Sequence, residues 1–172
     1  MNALWLMAPL FLIRFVLLGM VNNEALPRAA QFAPLQGGEK TAYLFYQLAN
    51  VLIVLYPLAL KIRVAGPLGI IGVLVYGAGV GVMALATIHF ARPKQNGLNT
   101  NGLYKISRNP MYVGYFVYFL GCVLLTGSGL LLLLLLVFQI SAHWIIRSEE
   151  RWCVEKFGDE YISYMKKVRR YI

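Results

Sequence analysis

Residues 110–146 decide the fold, and they read PMYVGYFVYFLGCVLLTGSGLLLLLLLVFQISAHWII. The stretch contains no Asp, Glu, Lys or Arg, and its one cluster of turn-forming residues is Thr-Gly-Ser-Gly at 126–129. A helix needs about 20 mostly apolar residues to cross the hydrocarbon core of a bilayer, and each half of the stretch approaches that length. The pattern predicts two membrane helices, at 110–125 and 130–146, that form a tight antiparallel hairpin.

Three further apolar segments precede this hairpin, at 3–21, 41–60 and 67–90. Charged residues make up 13% of the chain, about half of the roughly 25% that is usual for soluble domains. The sequence therefore predicts an all-α integral membrane protein with about five transmembrane helices. We expect one domain over 1–172, with N-terminal helices at 1–66 and a core at 67–172.

The distribution of Lys and Arg predicts the topology. The chain has a net charge of +9, and thirteen of its basic residues lie in the loops at 22–40 and 91–109 or after residue 146. The opposite side of the five-span arrangement has only Lys61 and Arg63. The positive-inside rule places the loop at 91–109 and the C-terminus in the cytoplasm. Because the charge lies beside apolar segments, we expect contact with membrane lipid and no nucleic-acid partner.

The C-terminal segment has the pattern of an interfacial helix. Aromatic and apolar residues recur there at steps of four and three, which makes one helical face. Basic residues follow them and are expected to contact lipid headgroups. The residues on the apolar face are Phe157, Tyr161, Tyr164, Val168 and Tyr171, and the basic ones are Lys166, Lys167, Arg169 and Arg170.

Two features of the apolar segments require an explanation. Arg14 lies near the middle of the first segment, where a charge costs roughly 2.5–3.5 kcal/mol on insertion scales. It is expected to face a polar interior or to reach the interface, and the sequence leaves its role open. Glycines 69, 72, 77, 79 and 81 of the third segment predict close helix packing, and Gly77 and Gly81 form a small-xxx-small pair.

The polar stretch between the third and fourth segments reads HFARPKQNGLNTNGLYKISRNPMY from His89 to Tyr112. Gly97 and Gly102 would let the backbone pass close to a ligand. Pro110 suits the first turn of a helix, whose free N–H groups, with Arg108 beside them, can hold a carboxylate. An ordinary basic loop explains the composition equally well.

A second polar group follows the fifth segment, where Glu149 and Glu150 point to different faces of the predicted helix. At least one carboxylate should face the bundle, where it can accept hydrogen bonds from a ribose or hold a cationic group. A solvated acid pair is the alternative. No spacing of His or Cys predicts a metal site or a disulfide; His89 is the better candidate for ligand contact because it adjoins the polar loop, and His143 is expected to be structural.

Four short motifs occur in a fixed order in the C-terminal half. They are Gly102-Leu103-Tyr104, Arg108-Asn109-Pro110-Met111-Tyr112, Glu149-Glu150, and Phe157-Gly158-Asp159-Glu160-Tyr161 followed by Tyr164. Together they resemble the isoprenylcysteine carboxyl methyltransferase family, which is related to the phospholipid methyltransferases. The resemblance covers about 89–171, and it is specific to the superfamily rather than to one substrate.

The resemblance implies a methyltransferase that uses S-adenosylmethionine, held by the loop, the start of the fourth helix and the acidic pair. Glu149 would hold the ribose, and Arg147 or Arg108 would meet a substrate carboxylate. The implied cofactor-binding residues are His89, Asn96, Gly97, Leu98, Asn99, Tyr104, Asn109, Pro110, Met111, Tyr112 and Glu149. The predicted catalytic residues are Arg108, Arg147 and Glu150.

The implied acceptor is lipophilic, lipidated or embedded in the membrane: an isoprenylcysteine-type carboxylate, a lipid amine or a thiol. Asn109 stands where eukaryotic members have histidine. Asparagine cannot act as an acid or base near neutral pH. Within the resemblance, an asparagine at this position favours a prokaryotic inner-membrane source. Two alternatives are an NADPH-dependent membrane reductase of the sterol-reductase type and a non-enzymatic membrane subunit or transporter.

Overall fold

All five predicted segments are helical in the computed structural model, which describes residues 1–172. The chain contains no strand, only two isolated β-bridges. The helices in chain order are α1 (Ala3–Val21), α2 (Ala25–Ala30), α3 (Glu39–Ala59), α4 (Pro67–Phe90), α5 (Pro110–Thr126), α6 (Gly129–Phe157) and α7 (Asp159–Lys167), with a 3₁₀ turn at Gly102–Lys105.

By length and composition, α1, α3, α4 and α6 can each cross a membrane, while α5 is a shorter apolar helix of 17 residues. Large apolar side chains are exposed along these helices, for example Phe15 on α1 and Leu74 on α4. In water such a surface would be unfavourable, whereas in lipid it is the expected exterior. The predicted fold, an all-α integral membrane protein with multiple spans, is confirmed.

Local sequence sets the ends of these helices. Pro67 and Pro110 each open a helix at its first turn, where the missing N–H leaves no bond unmade. Gly127 closes α5 with a left-handed φ of 63°. Ser128 then caps α6 by accepting a hydrogen bond from the Leu131 N–H at 3.2 Å. The two residues between α5 and α6 therefore form the predicted turn.

The most extensive helix contact joins α4 to α5 rather than α5 to its hairpin partner. Two glycines allow this approach: a Cβ at Gly79 would overlap the Tyr118 backbone, and one at Gly121 would lie 2.5 Å from the Cα of Tyr76. The predicted close packing is confirmed for Gly79 and was wrong for Gly77 and Gly81, because both of the latter face open space. They lie on the outer face of α4, away from Gly79.

The second large contact joins α3 to α6. Tyr46 of α3 stacks on Phe138 of α6 with ring centroids 5.3 Å apart, and Phe138 is fully buried. The molecule thus consists of two helix pairs, α4 with α5 and α3 with α6. The helix α1 packs beside both pairs and contributes Leu6 and Met7 to the same buried cluster.

The polar segments gather at one end of the bundle. The Arg108 N–H donates to the Arg169 carbonyl at 2.9 Å, so the loop at 91–109 meets the C-terminal segment. Asn22 donates to the Ala91 carbonyl at 3.0 Å, which adds the loop after α1. At the opposite end, the Arg63 N–H donates to the Leu125 carbonyl at 2.7 Å. Two polar regions far apart in sequence therefore meet at one end.

The C-terminal helix differs from its prediction. It ends at Lys167, so Val168 and Tyr171 do not continue it. Tyr161 is buried, and the Tyr164 hydroxyl donates to the Tyr104 carbonyl at 2.5 Å. The aromatic face of α7 therefore packs on the loop and the bundle instead of pointing towards lipid.

Candidate active site

The loop between α4 and α5 has a defined shape because glycine and histidine fix its backbone. Gly97 and Gly102 have φ values of 88° and 55°, which favour glycine. A Cβ at Gly102 would overlap the His89 ring, and His89 Nδ1 accepts a hydrogen bond from the Leu103 N–H at 3.2 Å. His89 therefore supports the backbone of the loop at Gly102 and Leu103.

The tip of the loop is held against α7. Asn96 donates to Glu160 at 2.7 Å, and Lys94 forms an ion pair with the same carboxylate at 3.1 Å. Asn96 also accepts a hydrogen bond from the Leu98 N–H at 3.1 Å, while Leu98 is buried. The stretch that follows Asn96 is thereby turned towards the interior of the molecule.

Glu150 is the centre of a buried ionic network. Arg108 approaches one carboxylate oxygen at 3.0 and 2.9 Å, and Arg170 approaches the other at 3.0 and 2.8 Å. The Asn109 amide adds a donor at 3.4 Å. The hydrogen bond to Glu150 raises the pKa of Arg170 above its usual value. Both carboxylate oxygens of Glu150 are occupied by the protein's own cations.

All three guanidinium nitrogens of Arg108 also make contacts within the chain. One terminal nitrogen donates to the Met165 and Val168 carbonyls at 3.0 and 2.9 Å, while Nε and the other terminal nitrogen contact Glu150. The geometry therefore gives Arg108 and Glu150 a positioning role: they attach the C-terminal segment to the start of α5.

Glu149 differs from its neighbour. It accepts one hydrogen bond, from the Tyr112 hydroxyl at 3.1 Å, and its other oxygen has no hydrogen-bond partner in the chain. The two residues come from α6 and α5, and both line the same cavity. A carboxylate with a free oxygen beside a cavity can accept hydrogen bonds from a ligand.

The cavity lies where the loop, α5, α6 and α7 meet, and its volume is about 560 Å³. This volume falls within the roughly 300–1,000 Å³ of small-molecule sites. Ten predicted residues line it: Gly97, Leu98, Asn99, Tyr104, Arg108, Asn109, Met111, Tyr112, Glu149 and Glu150.

Four predicted residues do not line the cavity. His89 and Asn96 support the loop as described, and Pro110 is buried at the start of α5. Arg147 is exposed on α6 and lies over the Trp144 ring at 5.0 Å. It is three residues before Glu150 on the helix yet presents its side chain outward, so of the two basic residues that were predicted as catalytic only Arg108 lies at the cavity.

The N-terminal half supplies walls that sequence reasoning did not assign to a site. They are Arg14, Arg28, Ala29, Gln31, Phe32, Ala33, Pro34 and Tyr46. No motif marks these positions, although an arginine inside an apolar segment was a signal for Arg14. Trp152 also lines the cavity, as do Phe157, Tyr161 and Tyr164, whose periodicity predicted an interfacial surface instead.

Polar atoms without partners remain at the cavity. Asn99 Oδ1 and Arg28 Nε are buried and make no hydrogen bond within the chain. Buried polar groups in proteins are nearly always paired, so these two atoms indicate a missing polar partner. Burial also raises the pKa of Tyr104 above its usual value, which keeps this phenol neutral and able to donate.

This arrangement, a glycine-containing loop facing a helix-borne carboxylate at one end of an apolar bundle, fits the superfamily that the four motifs resemble. Residues 84–160 match the model of the phospholipid methyltransferase family. A curated relative from Schizosaccharomyces pombe, the Protein-S-isoprenylcysteine O-methyltransferase, is 39% identical over 79 residues. The resemblance to the isoprenylcysteine and phospholipid methyltransferase superfamily is thereby confirmed.

The similarity is confined to part of each protein. It covers 45% of this chain and 33% of the yeast relative, so the matched segment spans about a third of that relative's length. No solved structure matches the chain. The matched residues include the loop, α5, α6 and the beginning of α7, and thus most of the predicted cofactor wall.

Proposed function

We propose that this protein is an S-adenosylmethionine-dependent methyltransferase with a lipophilic or membrane-embedded acceptor. The observation that carries the proposal is the shared cavity of the 97–112 segment and Glu149, held together by the hydrogen bond between Tyr112 and Glu149. The superfamily match over 84–160 supports the same reaction class.

The residues at the cavity suit the chemistry of this cofactor. The free oxygen of Glu149 can accept from ribose hydroxyls, and the orphaned Asn99 Oδ1 can accept from an amine. The orphaned Arg28 Nε can donate to a carboxylate. Aromatic side chains such as Tyr104 and Tyr164 line the cavity and provide flat apolar surface for a purine.

The protein's contribution is positioning and exclusion of water. S-adenosylmethionine would supply a methyl group on a sulfonium, and its transfer to an acceptor that is already deprotonated, such as a carboxylate, needs no acid or base on the protein. Glu150 is saturated by Arg108 and Arg170, and Asn109 cannot exchange a proton near neutral pH. The chain's residues therefore hold the reactants in line inside a largely apolar site.

The proposal also includes the topology of the chain in the membrane and the membrane in which it lies. The loop at 91–109 and the C-terminal segment share one end of the bundle, where most Lys and Arg residues lie. The positive-inside rule makes this end cytoplasmic, which gives a soluble cofactor access. We assign the chain to a prokaryotic inner membrane and the catalytic core to residues 67–172, with the N-terminal helices completing the cavity.

Isothermal titration of the purified protein in detergent with S-adenosylhomocysteine tests the proposal. We expect saturable binding, and Glu149→Gln should weaken it by roughly 10-fold or more, as expected for a hydrogen bond to a charged group. Glu155→Gln is the matched control, because Glu155 lies on the same helix, is exposed and does not line the cavity.

Two results would contradict the proposal. Absence of binding by the wild-type protein at millimolar ligand would exclude this cofactor. Displacement of S-adenosylhomocysteine by NADPH at micromolar concentration would favour the reductase alternative. Equal affinity of Glu149→Gln and wild type would leave the cofactor class standing and remove Glu149 from the site.

A further inference from the structure

One face of α6 continues past Glu149 along the wall of the candidate cofactor cavity. The residues three, four and seven positions after Glu149 also line this cavity, and they are Trp152, Cys153 and Lys156. Residues at these spacings share one face of a helix, so the cavity wall extends about two helical turns beyond the free carboxylate oxygen. None of the four superfamily motifs includes these three residues.

The opposite direction along α6 is closed to a ligand. Ile145 and Ile146, which precede Glu149 by four and three residues, are fully buried and do not line the cavity. A nucleoside carries its base directly on the ribose, so a ribose held by Glu149 keeps the base within roughly one helical turn, about 5.4 Å. On α6, the turn of the cavity wall within this reach is the one that carries Trp152.

The aromatic rings at the cavity differ in how freely they can stack with a ligand. Tyr104 and Tyr161 are buried, and the Tyr164 hydroxyl is bound to the Tyr104 carbonyl, so packing of the loop on α7 holds these rings. Trp152 is partly exposed. Its contact with Phe157 is T-shaped, with ring centroids 6.5 Å apart and an interplanar angle of 85°. The indole is therefore not stacked on this neighbouring ring.

The Lys156 ammonium covers this indole. Its Nζ lies 4.5 Å from the centroid of the Trp152 ring and 5.3 Å from the centroid of the Phe157 ring. None of the four ion pairs in the chain includes Lys156. Cation–π contacts are weak at exposed sites, Lys156 is exposed, and its stem is flexible. The lysine is therefore a cover that a ligand can displace from a flat aromatic surface.

We propose that Trp152 is the platform on which the adenine base of the cofactor stacks, and that Lys156 covers this platform until the base displaces it. The inference rests on the proposed function and names the residue that holds one part of its cofactor. Every nucleic-acid base has a flat π face that can stack on an aromatic side chain. Glu149 and Trp152 then hold the ribose and the base from successive turns of one helix.

The first test keeps Trp152 and removes the two other tryptophans of the full chain. Trp5→Phe with Trp144→Phe changes residues that do not line the cavity and leaves Trp152 as the only indole. S-adenosylhomocysteine should quench its fluorescence saturably in detergent, because a stacked purine quenches an indole. 5′-Methylthioadenosine keeps the adenine and lacks the amino acid, and it should quench to the same extent at saturation.

Two substitutions separate the platform from its cover. Trp152→Leu should weaken S-adenosylhomocysteine binding by roughly 5- to 150-fold, the range for loss of one stack between a base and an aromatic side chain. Lys156→Met removes the competing ammonium and keeps an apolar stem, so it should bind the same ligand roughly 2- to 5-fold more tightly. Lys166→Met makes the same chemical change at an exposed residue outside the cavity and should leave the affinity unchanged.

Three results would each overturn the inference: unchanged Trp152 fluorescence when S-adenosylhomocysteine binds, wild-type affinity in Trp152→Leu, or weaker binding by Lys156→Met. The first and third do not depend on whether Trp152→Leu folds. Binding of S-adenosylhomocysteine that leaves Trp152 unaffected would remove the platform and leave the proposed function standing. Saturable quenching by 5′-methylthioadenosine without any binding of S-adenosylhomocysteine would support the platform and refute the proposed function alone.

Discussion

The two halves of the chain contribute different walls to one cavity. The loop, α5, α6 and α7 carry the superfamily motifs, and their polar side chains are fixed by short contacts such as those of Glu150. The N-terminal helices lie outside the matched segment at 84–160, yet Arg14 and Arg28 reach the same cavity. The comparison shows that one cavity combines walls that carry recognisable motifs with walls that no motif marks.

The largest expected effect concerns the walls that carry the motifs. Glu150→Ala removes the counter-charge of the buried Arg108 and frees Arg170. Loss of one partner from a buried ion pair typically costs about 3–5 kcal/mol, so the variant should unfold at a much lower temperature in detergent. Glu155→Ala, at an exposed position on the same helix, should change the free energy of unfolding by less than about 0.5 kcal/mol. Equal melting of the two variants would mean that the network does not stabilise the fold.

The next effect separates the two faces of α4. Gly79→Ala places a methyl group against the Tyr118 backbone, and overpacking of this kind costs about 1–3 kcal/mol. Gly77→Ala adds the same methyl group in open space, where replacing a helical glycine gains about 0.5–1 kcal/mol. Thermal unfolding should therefore shift in opposite directions. A shared direction would contradict the packing of α4 on α5.

A smaller effect concerns the orientation of Glu149. Tyr112→Phe removes the one hydrogen bond that Glu149 accepts and preserves the ring. We expect S-adenosylhomocysteine to bind roughly 3- to 10-fold more weakly, in proportion to about 0.5–1.5 kcal/mol for one hydrogen bond. Tyr43→Phe provides a matched control, since Tyr43 does not line the cavity. Titration calorimetry distinguishes the two variants, and equal affinities would remove Tyr112 from the site.

The smallest effect concerns the walls from the N-terminal half. Arg151 holds the segment before α3 through two contacts to Glu39 at 2.8 Å and one to the Pro34 carbonyl at 3.0 Å. Arg151 is partly exposed although Glu39 is buried, so the pair lies near the upper end of the about 0.2–1 kcal/mol that exposed pairs contribute. Arg151→Gln should leave the melting temperature nearly unchanged and speed hydrogen exchange in residues 31–38. Unchanged exchange there would show that other contacts hold this wall of the cavity.

Sequence patterns predicted the fold because apolar length and turn residues are local properties. The helices at 67–90 and 110–126 begin at prolines, and the Thr-Gly-Ser-Gly stretch at 126–129 has the composition of a turn. Helix packing was harder to predict. Gly77 and Gly79 are two residues apart and chemically identical, but only Gly79 faces α5, and the face is set by a partner helix rather than by spacing.

The motifs located most of the candidate site, because Tyr104, Tyr112 and Glu149 lie in contiguous signatures. They did not reveal that Arg147 points outward while Glu150 binds two arginines, since residues three apart lie on roughly the same face of a helix and only their surroundings decide their roles. The aromatic face of α7 was also misleading. An amphipathic pattern shows that one face of a helix is apolar, but it does not show whether lipid or protein contacts that face. Here the loop and the bundle contact it.

The ion pair between Glu150 and Arg170 also joins two residues that lie 20 positions apart in the chain. The whole of α7 lies between them, so this pair closes a loop that contains the helix. Truncation before residue 170 would therefore leave Arg108 as the only cation that contacts the Glu150 carboxylate.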